Sequence, residues 1–355
     1  MPNGKFFRYG YGTIVVLVII FLLTKVGFLL VPVLRVLNTL SLPFVLAGVL
    51  YYLLRPLVNF LARRKLNRSL AILAIFVLMI GLFAFVVIEI VPVLQYQVAR
   101  LIDNVPQIVA LASDQVNRLL EDPWISGYYK QHELDLSAKI ADYTNAIVSN
   151  TGNAFNAVFG FVSNVVVLLS TVPFILFYLL KEGDKVPAFI HRVLPAKHQE
   201  ETSAILGEMD AAISSYIQGK IFVSLCLGVI IYIGYAVIGI EYSLLLALSA
   251  TLLNVIPFVG LFIGIIPSLV VAFIHSPAML VKVIIVVIIA QQIEANLLSP
   301  QIMGKKLDIH PLTIILLLIV VGGFSGLLGM FLAIPIYAVL KIMASHLYRI
   351  YVLRK

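Results

Sequence analysis

Apolar positions along the chain gather into long runs, with little strand-like alternation. Five of them, at 13–31, 39–61, 70–94, 155–180 and 216–240, approach or pass the ~20 residues that a helix needs to cross a bilayer. Basic residues punctuate them: Lys5 and Arg8 precede the first, Arg63, Arg64, Lys65 and Arg68 follow the second, and Lys181 follows the fourth. The first run is longer than the apolar core of a signal peptide. Val31-Pro32-Val33-Leu34 offers no small-residue cleavage site, so it reads as an uncleaved first span. Arg55 and Glu89 lie close enough to span ends to snorkel.

Residues 95–150 are different material. Seven acids (Asp103, Asp114, Glu121, Asp122, Glu133, Asp135, Asp142) stand against four bases (Arg100, Arg118, Lys130, Lys139), in a chain whose net charge is +8. Val105, Ile108, Val109, Ala112, Val116, Leu119 and Leu120 recur at helical spacing, broken at Asp122-Pro123. The expectation is an extracytoplasmic amphipathic helical insert, with Trp124, Tyr128 and Tyr129 suited to the membrane interface. It separates N-terminal transmembrane helices (1–94) from a transmembrane core (151–355). Within that core, 181–215 reads as a short cytoplasmic segment with a helix from about Ala196.

Two further apolar segments are long for a single crossing and heavily interrupted. Residues 244–274 contain Asn254, Pro257, Gly260, Gly264 and Pro267, and residues 312–343 contain Gly322, Gly323, Gly326, Gly329 and Pro335. They share Phe258-Val-Gly260-Leu261 and Phe324-Ser-Gly326-Leu327. Lys and Arg of short loops collect on the cytoplasmic side. That places the N-terminus, the 63–68 loop and the Lys181 loop inside, and the acidic insert outside. If both long segments crossed once, Lys305 and Lys306 would face outside. If each turns back to its own side, those lysines face the cytoplasm together with Arg349, Arg354 and Lys355. Two kinked, tilted spans are the alternative. The expected fold is an all-α polytopic membrane protein of about eight apolar elements, two of them re-entrant hairpins in an inverted repeat.

Candidate chemistry concentrates between Met279 and Pro311, where Gln291, Gln292, Glu294, Asn296 and Ser299 interrupt an apolar helix. At ~100° per residue, Gln292, Asn296 and Ser299 share one stripe, and Gln291 and Glu294 another. A helix polar on two faces must sit inside a bundle or line a wet cavity, because an ionisable group at the bilayer centre is expensive. The broken backbone around Asn254, Pro257, Gly260, Gly323 and Gly326 would add free backbone groups. These ten residues form the expected substrate site.

Composition narrows the class. Apolar residues make up 61% of the 355 and charged residues 12%, against ~45–50% and ~25% in soluble domains; the mean hydropathy is +1.07. The positive charge is explained by orienting loops without invoking nucleic acid. One cysteine, Cys226, allows no intrachain disulfide and no cysteine-based cluster, and the histidines show no ligand spacing, so no metal and no cofactor are expected. No phosphate-cradling Walker loop occurs. Gly323-Phe-Ser325-Gly326 matches a string of rhomboid-type proteases, but the downstream histidine, His346, lies near the basic C-terminus, and no catalytic residue or enzyme is expected.

Five motifs occur in order: Pro173-Phe-Ile-Leu-Phe-Tyr-Leu-Leu-Lys-Glu-Gly183, Tyr216-Ile-Gln218-Gly219-Lys220, Asn254-Val-Ile-Pro257-Phe-Val-Gly260, Gln292-Ile-Glu294-Ala-Asn296-Leu-Leu-Ser299-Pro300-Gln-Ile-Met303-Gly304 and His310-Pro311. Together they resemble the AI-2E transporter family. The resemblance implies an inner-membrane transporter, whose termini the lysine and arginine distribution puts in the cytoplasm. It implies export of autoinducer-2 or a related signal, or else sodium(lithium)/proton antiport; a non-transport membrane scaffold is a third reading. The partners expected are a small-molecule or ion substrate, the lipid bilayer and further copies of the chain in a homo-oligomer.

Overall fold

The computed structural model describes residues 5–25, 27–101, 103, 104, 107, 170–193, 199–302 and 309–353. Most of the acidic insert, the first part of the fourth apolar run, and Lys305 and Lys306 lie outside the described residues. The described chain is all-α. Its helices are α1 (Lys5–Lys25), α2 (Gly27–Arg63), α3 (Arg68–Leu101), α4 (170–182), α5 (Val186–Val193), α6 (Gln199–Ile238), α7 (Ser243–Asn254), α8 (Val259–His275), α9 (Pro277–Ile302) and α10 (Pro311–Leu353). Helices long and apolar enough to cross a bilayer include Thr39–Arg63 of α2, α3, α6 and α9. This is a multi-pass membrane protein.

Element boundaries depart from the apolar runs in two places. The run at 13–31 is divided: α1 ends at Lys25 and α2 begins at Gly27, carrying Pro32 inside it. The expected cytoplasmic helix and fifth span are one helix, α6, of 40 residues, about 60 Å long.

Lipid provides no hydrophobic drive between helices, so membrane bundles rely on close packing at small residues. α2, α3 and α4 form one unit around Ala47, Val58, Ala71, Ile72, Ile75, Leu176 and Leu180. α6, α7, α8 and α9 form a second around Leu227, Ile231, Tyr235, Leu246, Ala250, Ala272 and Val283. Outward-facing residues of α3, such as Val77, Ile80, Phe83 and Ile88, are more than half exposed, as a lipid-facing surface should be. Pro56 in α2 lacks an N–H, which leaves the Tyr52 carbonyl without its helical donor; the Gln218 side-chain amide of α6 supplies one at 2.7 Å.

Both interrupted segments are helical hairpins. α7 and α8, with 12 and 17 residues, are each short of a crossing. They lie antiparallel in contact so close that a Cβ on Gly260 would stand 1.7 Å from the Leu253 carbonyl oxygen. One on Gly264 would stand 2.9 Å from Ala250 Cα. Ile240, Glu241 and Tyr242 before one leg and Val271, Ile274 and His275 at the end of the other share a single cavity, so the legs open on the same side. α10 folds back at Gly326, whose φ of 60° and ψ of −152° are not helical. Met330 packs on Gly322 and Val321 on Gly329, pairs eight residues apart that a straight helix would separate by about 12 Å.

Candidate functional site

In the turn of the first hairpin, Val255–Phe258, Val255 and Ile256 pack against α6 and both legs of α10. Phe258 adopts φ 60°, ψ −60°, a conformation that a non-glycine residue holds only where its surroundings enforce it. Beside this turn lies a cavity of about 450 Å³, lined by Tyr216, Lys220, Asn254, Pro257, Gln291, Glu294 and Ser299, with apolar walls that include Leu261, Ile309, Ile314 and Ile334.

Tyr216, Lys220 and Ser224 stand at i, i+4 and i+8 on α6, and all three are buried. Opposite them Glu294 opens a π turn, Glu294–Leu298, within α9. Lys220 Nζ lies 3.4 Å from Glu294 Oε1, and the two side chains are only 8% and 12% exposed. This is an ion pair inside the bundle, where removing one partner strands a charge. Asn254 Nδ2 donates to Glu294 Oε1 and to Ser224 Oγ, both at 3.3 Å. Gln291 Nε2 donates to Glu294 Oε2 at 3.3 Å. The carboxylate thus receives three donors, as its ionised form requires.

The structure brings five of the ten expected residues to the cavity: Asn254, Pro257, Gln291, Glu294 and Ser299. Gly260 is buried behind the turn, serving the hairpin contact. Gln292 and Asn296 bond each other at 2.9 Å on an exposed face. Gly323 and Gly326 sit at the exposed end of the second hairpin, away from the cavity. Ser299 joins Gln291 and Glu294 because the π turn inserts one residue. The insertion rotates the remainder of α9 by about 100° relative to an uninterrupted helix.

Lys220 and Tyr216 are site residues absent from the expected substrate site, although they bound the motif Tyr216-Ile-Gln218-Gly219-Lys220. Their signal is a lysine followed by a long apolar run, with a tyrosine one turn before it. At a span boundary such a lysine would simply snorkel; in a helix that starts at Gln199, Lys220 lies well inside. Arg55, also near a span end, bonds Asp210 of α6 at 2.6 Å and pairs with Asp184 at 3.8 Å. Arg68 of α3 also pairs with Asp184 and donates to the Leu180 carbonyl at 2.8 Å. The Arg68 hydrogen bond, with help from the charges of Arg68 and Arg55, holds the Asp184 carboxyl below its ordinary pKa against the opposing effect of burial. His346 lies 3.0 Å from Glu208, on the α6 segment preceding the cavity residues.

A multi-pass helical bundle with an open, polar, charge-paired cavity at a broken helix is an architecture that fits a membrane transporter. The family described as AI-2E family transporter matches residues 13–349, and the chain belongs to that family. It is 38% identical to the Bacillus subtilis (strain 168) protein named "Putative transport protein YueF", across 100% of this chain and 97% of the relative. A second relative from the same strain, "Putative transport protein YrrI", is 33% identical over 95% of this chain and 94% of its own. "Putative permease PerM" of Escherichia coli (strain K12) is 30% identical over 50% of each chain.

Proposed function

We propose that the protein exports a small polar solute across the cytoplasmic membrane through the cavity at the turn of the first hairpin, with autoinducer-2 or a related signal as the substrate. The observation that carries this reading is the Glu294 carboxylate, held by Lys220, Asn254 and Gln291 beside that turn. The cavity's volume falls in the range of small-molecule sites, ~300–1,000 Å³. Its buried pair is neutral as a whole, which suits an uncharged hydroxyl-rich solute recognised by amides and hydroxyls.

Sodium(lithium)/proton antiport is favoured by one observation: Glu294 is the carboxylate lining the cavity. Against it, three donors already occupy that carboxylate, and a cation would have to displace Lys220. Flux of autoinducer-2, sodium and lithium into proteoliposomes separates the readings. Export predicts saturable autoinducer-2 flux without sodium or lithium exchange. Cation exchange that depends on pH and disappears in Glu294→Gln would establish the antiporter instead.

In this proposal both hairpins are re-entrant and both termini are cytoplasmic, as the distribution of lysine and arginine favours. In a Cys226-free background, Glu241→Cys and His275→Cys should react with an impermeant thiol reagent from outside, and His310→Cys only from the cytoplasm. Labelling of the His310 position in intact cells would overturn this topology.

A further inference from the structure

α5 follows directly on the polar end of α4 and, at 8 residues, is too short to cross a bilayer. Lys185, in the turn before it, and Phe189 and Arg192 within it stand at i, i+4 and i+7, one stripe of a helix. All three are exposed, the Phe189 ring by 69%. A large ring left bare between two cations is the pattern of a helix lying on a membrane surface, with the ring at the acyl boundary and the bases among headgroups. Beside this stripe is a cavity of about 670 Å³, with a floor formed by Phe44 of α2 and Phe174, Tyr178 and Leu179 of α4. Phe174 and Tyr178 are exposed as well, so the floor runs on into the outer face of α4. The rim carries Lys185, Arg192 and Glu182. Lys185 donates to Glu182 at 3.3 Å, which leaves its ammonium two further donors. Arg192 pairs with no acid among the described residues. Asp184, the other acid of this turn, is taken by Arg68 and Arg55.

We propose that this cavity holds an anionic phospholipid, with its phosphate on Lys185 and Arg192 and an acyl chain against Phe44, Phe174 and Phe189. The rim has two bases and one acid, a net positive charge that an anionic headgroup neutralises. A choline headgroup would instead bring a further cation to it. Lys185 and Arg192 are about 10 Å apart along the helix, a gap that two long, flexible side chains can close on one phosphate. Free phosphate would satisfy the bases and leave the rings bare, so the apolar floor commits the site to a lipid. No lining residue is shared with the Lys220–Glu294 cavity. The lipid site therefore stands whichever solute that cavity carries.

The test titrates the full chain, purified in a neutral detergent, with dioleoylphosphatidylglycerol, dioleoylphosphatidylcholine or inorganic phosphate, and reads the melting temperature. Phosphatidylglycerol should stabilise the protein saturably; phosphatidylcholine and inorganic phosphate should not. In Lys185→Gln/Arg192→Gln the half-saturating concentration of phosphatidylglycerol should rise about thirty-fold, the loss expected of two surface bases. Phe189→Ser should raise it about ten-fold or more, through lost apolar contact. All three side chains are exposed, so neither variant should move the melting temperature measured without lipid. Arg63→Gln/Lys65→Gln removes the same charge from the loop after α2 and should leave the titration unchanged. Equal stabilisation by phosphatidylcholine would reduce the site to ordinary lipid contact, and stabilisation by inorganic phosphate alone would reduce it to a surface anion site. Either result, an equal loss in Arg63→Gln/Lys65→Gln, an unchanged titration in Phe189→Ser, or no response to any probe would overturn the assignment.

Discussion

The two hairpins carry the same four-residue pattern and use it differently. In the first, Phe258 takes the positive φ, and Gly260 is the residue that lets the legs touch, with Leu253 closing over it. In the second, Gly326 itself takes the positive φ, with open space where its side chain would be. Phe324 there is 89% exposed. The reversal thus falls two residues earlier relative to the shared pattern in the first hairpin than in the second. The first turn is part-buried beside a charged cluster, with Ile256 buried and Phe258 half exposed, whereas the second is an exposed apolar tip. A shared motif identified two chain reversals; it did not give them equivalent roles. The difference arises from what each turn meets, and only the first meets Lys220 and Glu294.

Substitutions should break this comparison unevenly. The largest effect belongs to Gly260→Ala, whose methyl would enter the Leu253 carbonyl 1.7 Å away. The legs must part, and the variant should fail to purify as a monodisperse species on size-exclusion chromatography. Next comes Glu294→Gln, which leaves Lys220 buried without its counter-charge and should lose about 3–5 kcal/mol. Adding Lys220→Met should recover most of the melting temperature while flux stays lost, a pattern that a purely structural pair would not give. On the second hairpin, Gly326→Ala meets no atom and strains only the backbone, so the loss should be about 1–3 kcal/mol, read from the melting temperature. Equal damage from the two glycine substitutions would erase the distinction drawn between the turns.

The smallest effect lies outside both hairpins. Asp184 has a folded pKa below its unfolded one. Its contribution is therefore present above the usual carboxylate value of about 3.9 and is lost as pH falls through the folded value. Acidification below that range should lower the wild-type melting temperature slightly more than that of Asp184→Asn. Asp184 is about half exposed, and exposed pairs contribute little.

Much of the architecture was legible because lipid forces long apolar runs and makes breaks in them conspicuous. Pro257 and Gly326 lie at or beside the two reversals, and charge asymmetry supplied the reason to expect hairpins there. The site was half legible. Glu294 and Gln291 declared themselves as polar residues in an apolar helix, but helical arithmetic failed two residues later. A π turn leaves no mark in composition, so Asn296, expected at the cavity, lies outside it. Lys220 stood in a recognised motif, but its place in the site was hidden for the opposite reason: a lysine before an apolar run looks like a span boundary until the helix is known to start 21 residues earlier. The Gln218 bond to the carbonyl freed by Pro56 joins positions 166 apart in sequence, and no local pattern reports such a pair.

The length of α6 has a mechanical consequence. Asp210, held by Arg55, and Lys220, held by Glu294, ride on one continuous rod about 15 Å apart. Gln218 grips α2 from another side of that rod. A stiff rod turns as a whole, so a quarter turn that swings Lys220 away from Glu294 also drags Gln218 off Tyr52 and Asp210 off Arg55. Opening the cavity and loosening the Arg55 clamp are then one movement, and whatever favours either end favours the other by the same free energy.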